Sequence, residues 1–196
     1  KVSFPYSYYK RINAIDYGAV HTVSLDASSE FQISSKKYFE FNFNIDHGLN
    51  EWELAEVLAT AFRKAINRRV LQQFGQTWIS LSGGLDSRAI LCSADVKDNL
   101  GAFCFLDDEN LEYKIAKAVA HKVGVKFISL KRDFDHYGDN AEMGIKISGA
   151  MDDFVNNHYL GFRNDFKCYG IDNIIAGFSC DYFFKSLVLN KIYHKY

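Results

Sequence analysis

Two patterns of apolar and polar residues divide the chain near residue 75. Between residues 17 and 43, β-branched and aromatic residues fill two runs separated by the turn-forming segment DASSE, which predicts a β-hairpin. From residue 51 to about residue 74, apolar residues recur at spacings of three and four, which predicts an amphipathic helix. Asn50 is the expected N-terminal cap of this helix, and Gly75 is its expected stop.

After Gly75, short apolar runs alternate with helical patterns. Three runs predict buried strands: TWISL (77–81), GAFCFL (101–106) and VKFISL (125–130). Helices are predicted between them, the first opening with SRAILCSA and the second ending at Gly124. This alternation is typical of a parallel sheet with helices on both faces. The predicted fold class is therefore α/β and Rossmann-like, preceded by a short β-hairpin.

The pattern is weaker in the last third of the chain. Residues 131–139 are charged and predict a loop, and weaker helical patterns follow at 141–147 and 152–162. NIIAGF (173–178) predicts a fourth buried strand, and DYFFKSLVL (181–189) predicts a helix. We divide the chain into a hairpin segment, 1–45, the remnant or end of an N-terminal domain, and an α/β domain, 46–196.

Composition excludes several functional classes. The 196 residues are 48% hydrophobic and 24% charged, an ordinary globular balance. With 23 basic and 24 acidic residues the net charge is −1, which gives no electrostatic reason to expect nucleic acid or a membrane surface as partner. No apolar run approaches the roughly 18–20 residues of a transmembrane helix. The four cysteines form no C-x-x-C pair, which disfavours zinc and fits free thiols in a reducing, cytoplasmic setting.

The segment LSGGLDSRAIL (81–91) carries the clearest chemistry. It lies where a predicted parallel strand ends and a helix begins, the edge at which open α/β sheets bind ligands. The glycine pair permits left-handed backbone, so N–H groups can converge, and Ser82 and Ser87 add hydroxyl groups. The helix N-terminus adds its positive dipole end. Asp86 is unfavourable in such an anion site unless it faces a cation, so a divalent ion bridging it to phosphate is expected.

Spacing excludes two other phosphate loops. No G-K-[ST] follows the glycines, so this is not a Walker loop, and the glycines do not fit G-x-G-x-x-G. The structural alternative is a tight turn with a helix-capping Asp or Ser. Because six consecutive residues with this chemistry follow a buried strand, phosphate binding is favoured over a tight turn.

The segment SGGLDS (82–87) resembles the pyrophosphatase loop of the N-type ATP pyrophosphatases, which include GMP, NAD and tRNA-lysidine synthetases. LSGGLDSRAIL is most similar to the asparagine synthetase family. Three more segments carry this resemblance: 101–130 contains the family's A-x-x-x-A-x-x-x-G spacing, NIIAGFSCDYFF (173–184) resembles its S-G-E-G-x-D-E motif, and 4–45 resembles the segment that precedes its synthetase domain.

This resemblance implies an adenine nucleotide alpha hydrolase-like fold and an ATP-dependent amide-forming ligase. Such an enzyme adenylates a carboxylate, releases pyrophosphate and passes the acyl group to an amine. The implied roles are phosphate binding by Ser82, Gly83, Gly84 and Ser87, binding of the Mg²⁺ that accompanies the nucleotide by Asp86 and Asp181, and contact with adenosine by Gly177 and residues 103–106. The implied partners are ATP, a small-molecule or peptide carboxylate, a glutaminase domain or subunit, and a second copy in a homodimer.

The second motif departs from the family at three positions. The family's first glutamate falls on Phe178, its middle glycine on Ser179 and its last glutamate on Tyr182. Phe178 can neither transfer a proton nor bind a metal, so the catalytic residue is not identified. The alternatives are a catalytically impaired nucleotide-binding or regulatory module, and another adenylating ligase of the macrolactam-forming or polysaccharide-amidating kind. The family's Cys-led glutaminase domain is not contained in these 196 residues, so we expect a fragment of a longer protein that continues beyond residue 196.

Weaker candidates have simpler interpretations. Asp133 and Asp135 match the metal-binding D-x-D of glycosyltransferases, although a solvated loop is favoured, and His136 beside them is expected at the surface. The acidic segment 106–112 is expected to cap a helix. Asp152, Asp153 and Asn156 either contact the substrate or simply begin a helix, and both interpretations stay open. Structural roles are expected for His47, His121, His158 and His194.

Overall fold

The computed structural model describes residues 5–41, 48–151 and 157–178. Its elements are β1 (Ala19–Leu25), β2 (Phe31–Lys37), α1 (Glu51–Asn67), β3 (Thr77–Ser80), α2 (Leu85–Ser93), β4 (Leu100–Leu106), α3 (Leu111–Val123), β5 (Lys126–Lys131), α4 (His136–Asp139), α5 (Ala141–Ser148), α6 (Arg163–Cys168) and β6 (Asn173–Ala176). None of the helices in these ranges is both long and apolar enough to cross a bilayer.

The predicted hairpin is confirmed. β1 and β2 pair antiparallel from Ala19 opposite Lys37 to Leu25 opposite Phe31. Asp26 closes the turn, because its Oδ1 accepts hydrogen bonds from the backbone N–H groups of Ser28 and Glu30 at 2.9 and 3.0 Å. Bonds from the Glu30 backbone and the Gln32 and Ser28 side chains hold the pKa of Asp26 at about 2.

Helix α1 begins as predicted but ends earlier. Asn50 caps it in a capping box: Asn50 Oδ1 accepts from the Glu53 N–H at 3.1 Å, and the Glu53 carboxylate accepts from the Asn50 N–H at 2.8 Å. The predicted extension to about residue 74 is wrong, because the helix ends at Asn67. The Asn67 side chain bonds the Ser93 carbonyl at 3.0 Å and the Asp95 N–H at 2.9 Å. Residues 72–74 form a separate 3₁₀ turn before Gly75.

The four remaining strands form one parallel sheet in the order β5-β4-β3-β6. Its central strand β3 sets Ser80 opposite Phe103 of β4 and Ala176 of β6. The chain progresses from β3 outward to β5 and then crosses to β6 on the other side of β3. A crevice therefore opens between the carboxyl ends of β3 and β6, the switch point at which doubly wound sheets bind ligands.

Helices cover both faces of the sheet, as the alternating pattern predicts. One face packs Ile79 and Ala102 against residues of α1, α2 and α3 in the larger core. The other face packs Trp78 and Phe103 against Phe162 and α6 in a smaller aromatic core. A Cβ on Gly101 would lie 2.4 Å from the Trp78 ring, so this glycine is required by the indole that lies over it.

The last third of the chain differs in detail from the sequence prediction. The short helix α4 lies within the predicted loop 131–139, and α5 matches the helix predicted at 141–147. In place of a helix ending at Phe162, residues 157–162 are irregular and α6 begins at Arg163. Strand β6 confirms the fourth predicted strand. The predicted helix at 181–189, and residues 152–156, lie outside the described residues.

Candidate functional site

The segment Ser82-Gly83-Gly84 crosses the carboxyl end of β3 and leads into α2. Ser87 in the first turn of α2 is buried, and its Oγ accepts the Ser82 N–H at 2.9 Å and lies 3.0 Å from Ser82 Oγ. Ser82 Oγ in turn accepts the Gly84 N–H at 3.1 Å. Hydrogen bonds between the two serines and the loop backbone therefore hold the loop in shape, while Ser82 and Gly84 remain exposed to solvent.

The two loop glycines act through close packing and not through left-handed backbone. Gly84, the N-cap of α2, has a φ of −71°, and Gly83 is not among the described glycines with positive φ. The expected left-handed backbone is therefore wrong for this glycine pair. A Cβ on Gly83 would lie 2.9 Å from Glu112 Cα, so the loop needs a glycine to approach the N-terminus of α3.

The two motif segments meet in the structure. Gly177, just after β6, packs on the first turn of α2, where a Cβ would lie 3.2 Å from Asp86 Cβ and 3.3 Å from the Ser87 nitrogen. Asp86 is half-buried there. Phe178 is 83% exposed. Asp181, Ser179 and Tyr182 lie outside the described residues, so the proposed second metal ligand stays a prediction.

A cleft of about 400 Å³ opens beside the loop. Ser80, Leu81 and Ser82 form its floor at the end of β3, and Glu112 and Tyr113 of α3 form one wall. From the predicted segment 103–106, Cys104 and Phe105 line the cleft, whereas Phe103 is buried in the aromatic core. This volume lies within the range of small-molecule sites, about 300–1,000 Å³.

Sequence reasoning missed the far wall of the cleft, which contains Arg132, His158 and Tyr159. Arg132 makes a bidentate pair with Asp107, with Nε–Oδ1 and Nη2–Oδ2 distances of 2.8 and 2.7 Å. Its Nη1 donates to Tyr137 Oη at 2.7 Å, and Tyr137 Oη lies 2.8 Å from His158 Nδ1. The position of Arg132 in the sequence could have identified it, because Arg132 directly follows β5 at the ligand-binding edge of the sheet.

The two histidines near this wall differ from expectation. His136 is buried and not at the surface, with its ring stacked on Phe162 at a centroid distance of 5.2 Å. His158, expected to be structural only, lines the cleft. Partial burial lowers the pKa of His158, and the positive charge of Arg132 and an interaction with His136 lower it further.

The remaining candidates are distributed as follows. Asp133 and Asp135 are exposed around a fully exposed Phe134, which is the solvated loop that was favoured. Among the described residues no group of three His, Cys, Asp or Glu side chains is placed to hold a metal. In the acidic segment 106–112, Asn110 Oδ1 caps α3 by accepting the Tyr113 N–H at 3.0 Å. His121 is exposed on α3, and the residues outside the described ranges are His47, Asp152, Asp153, Asn156 and His194.

The described cysteines are free thiols. Cys92 and Cys168 are exposed, whereas Cys104 is buried at the cleft. Burial, with a smaller effect from the charge of Glu112, raises the pKa of Cys104 to about 11. This thiol is therefore uncharged at neutral pH. Cys180 lies outside the described residues.

Comparison with known proteins adds little to this geometry. No protein-family model and no curated protein matches the chain. Among solved structures, it is similar to an NH3-dependent NAD synthetase from Campylobacter jejuni in complex with the nitrate ion, with a TM-score of 0.45 and 14% identity. The match covers 67% of this chain and 60% of that one, so the chain spans less than two thirds of that protein. A likeness this weak carries no argument about activity.

Proposed function

We propose that this chain is the ATP-binding part of an amide-forming ligase of the asparagine synthetase type, which adenylates a carboxylate and releases pyrophosphate. The observation that supports it is the packing of Gly177 on Asp86 and Ser87. The segments that resemble the family's two motifs are far apart in sequence. They come together at the switch-point crevice of the sheet, where such sheets bind nucleotides.

The loop has the chemistry that a phosphate needs. The positive dipole end of α2 attracts an anion. The exposed Ser82 hydroxyl can donate to a phosphate oxygen, while the buried Ser87 hydroxyl holds the Ser82 N–H in place. In this proposal Asp86 and Asp181 hold Mg²⁺, which neutralises charge on the pyrophosphate group. The nucleoside then occupies the cleft beside Cys104 and Phe105.

A nucleotide-binding module without turnover is the second candidate. Its support is Phe178, which stands where the family has a glutamate and is 83% exposed. A phenyl ring cannot accept a proton from an attacking amine. ATP binding without transfer chemistry is therefore the expected behaviour if no other group of the complete protein supplies the base.

Calorimetric titration of ATP in the presence of Mg²⁺ tests nucleotide binding. Asp86→Ala should weaken ATP binding at least tenfold. Asp98→Ala is the control, because it removes an exposed carboxylate from the loop before β4 and should leave ATP binding unchanged. Equal affinities of wild type and Asp86→Ala would overturn the metal role, and no binding by wild type would overturn the proposal.

Pyrophosphate exchange then separates the two candidates. The full-length protein should exchange labelled pyrophosphate into ATP only when a suitable carboxylate is present. ATP binding with no exchange across a broad panel of carboxylates would favour the module without turnover.

A further inference from the structure

The far wall of the cleft holds a hydrogen-bond chain whose proton positions follow from its chemistry. Arg132 can only donate, so Tyr137 Oη accepts its Nη1–H at 2.7 Å. The single hydroxyl proton of Tyr137 is then available to His158 Nδ1, 2.8 Å away. When Tyr137 donates this proton, Nδ1 is the acceptor nitrogen, and the proton of the neutral imidazole is on Nε2.

The surroundings of His158 favour this neutral form. Partial burial lowers the pKa of His158, and the charges of Arg132 and His136 lower it further. The other ionisable groups that line the cleft are Cys104 of β4, Glu112 and Tyr113 of α3, and Tyr159. Asp107 is already bound by both oxygens to Arg132. A proton on His158 Nδ1 would also face Tyr137 Oη, which already accepts a hydrogen bond from the Arg132 cation.

This wall does not offer a net positive charge to a ligand. The Arg132 guanidinium is paired with Asp107 and stacks near Phe105, with its carbon 5.3 Å from the ring centroid. The Cys104 thiol is uncharged. Aromatic rings of Phe105, Tyr113 and Tyr159 supply flat apolar surface. The loop end of the cleft thus suits an anion, and the far end suits an uncharged aromatic ring with a hydrogen-bond acceptor.

We propose that His158 donates its Nε2–H to a ring nitrogen of the nucleotide base, and that Tyr137 is the positioning residue that fixes this tautomer. The inference rests on the proposed ATP site, and it adds a residue that orients the nucleotide base. His158 recognises an acceptor nitrogen and disfavours a base with a C–H at that position, because the Nε2–H would then lose its partner.

Nitrogen NMR of the nucleotide-free protein tests the chain of hydrogen bonds directly. His158 should show a protonated Nε2 and an unprotonated Nδ1 at neutral pH. Tyr137→Phe should abolish this preference, whereas Tyr169→Phe, which removes a tyrosine hydroxyl at the other end of the sheet, should not. A protonated Nδ1 in the wild type would overturn the inference.

Binding of ATP and its 1-deaza, 3-deaza and 7-deaza analogues tests the contact with the base. The analogue that lacks the ring nitrogen contacted by His158 should bind the wild type about three- to tenfold more weakly than ATP, because it loses one neutral hydrogen bond. That difference should vanish in His158→Ala and persist in His158→Gln, which retains an N–H donor.

The outcomes separate this inference from the proposed function. If ATP binds and Asp86→Ala weakens it, but the analogues give the same ratios in wild type and His158→Ala, only the role of His158 is overturned. If wild type binds neither ATP nor any analogue, both proposals fail.

Discussion

Gly177 packs against Asp86 so closely that a Cβ on the glycine would lie 3.2 Å from the aspartate Cβ and 3.3 Å from the Ser87 nitrogen. Gly177→Ala should therefore displace the first turn of α2 by a few tenths of an ångström. Overpacking of this kind costs about 1–3 kcal/mol. We expect ATP affinity, measured calorimetrically, to fall several-fold. Gly138→Ala is the matched control, because among the described residues its Cβ would meet no heavy atom within 4 Å beyond its own helix backbone and chain neighbours.

A second prediction concerns the glycine pair. Gly83→Ala places a Cβ 2.9 Å from backbone Glu112 Cα, whereas in Gly84→Ala the nearest atom is the Ser82 hydroxyl oxygen at 3.1 Å, which can rotate away. Gly83→Ala should lower the free energy of unfolding by about 1–3 kcal/mol, as overpacking does. Gly84→Ala should lower it less, and urea unfolding compares the two. Equal losses would show that the contact with α3 is not the reason for Gly83.

The buried hydroxyl of Ser87 gives a third prediction. Ser87→Ala removes the acceptor of the Ser82 N–H and leaves that donor without its partner. We expect a loss of about 0.5–1.5 kcal/mol in the free energy of unfolding, the net contribution of one hydrogen bond. Ser93→Ala, at the other end of α2, should change stability by no more than about 0.5 kcal/mol. If both variants unfold at the same urea concentration, Ser87 does not brace the loop.

The fourth prediction concerns thiol reactivity. Cys92 and Cys168 are exposed, and Cys104 is buried with a pKa of about 11. At pH 8 an alkylating reagent should modify the first two and leave Cys104 intact, because the thiolate is the reactive form. Peptide mass mapping assigns each modification. Rapid labelling of Cys104 in the folded protein would contradict its burial.

The same thiol makes stability depend on alkaline pH. The folded protein keeps the Cys104 proton up to about pH 11, whereas the unfolded chain releases it near the ordinary value of 9.0. Between these values the native state binds more protons, so this contribution to stability falls as pH rises from 9.0 towards 11. Below pH 9.0 it is constant.

Local pattern was sufficient for the sheet and the loop. Strands such as β3 and β4 are buried on both faces and therefore appear as continuous apolar runs. The loop was recognisable because its glycines, serines and aspartate follow one of these strands directly. The end of α1 was not predictable in this way, because the side chain of its last residue, Asn67, bonds Ser93 at the end of α2 and Asp95 just after it.

The Arg132–Asp107 pair was hidden for a related reason. Its two residues are far apart in sequence and follow different strands. They become neighbours only because Leu106 pairs with Lys131, which brings the next residue of each strand side by side. The pairing register of β4 and β5 therefore places this ion pair at the far wall of the cleft, and no local sequence pattern specifies that register.

Trp78 and Gly101 constrain each other across β3 and β4, where they stand in register. Because a Cβ at position 101 would enter the indole at 2.4 Å, no larger residue fits there while tryptophan occupies position 78. Across related sequences these two sites should change together, with any side chain gained at 101 matched by a smaller ring or an aliphatic group at 78. Their joint variation would trace the evolutionary history of this sheet independently of what the cleft binds.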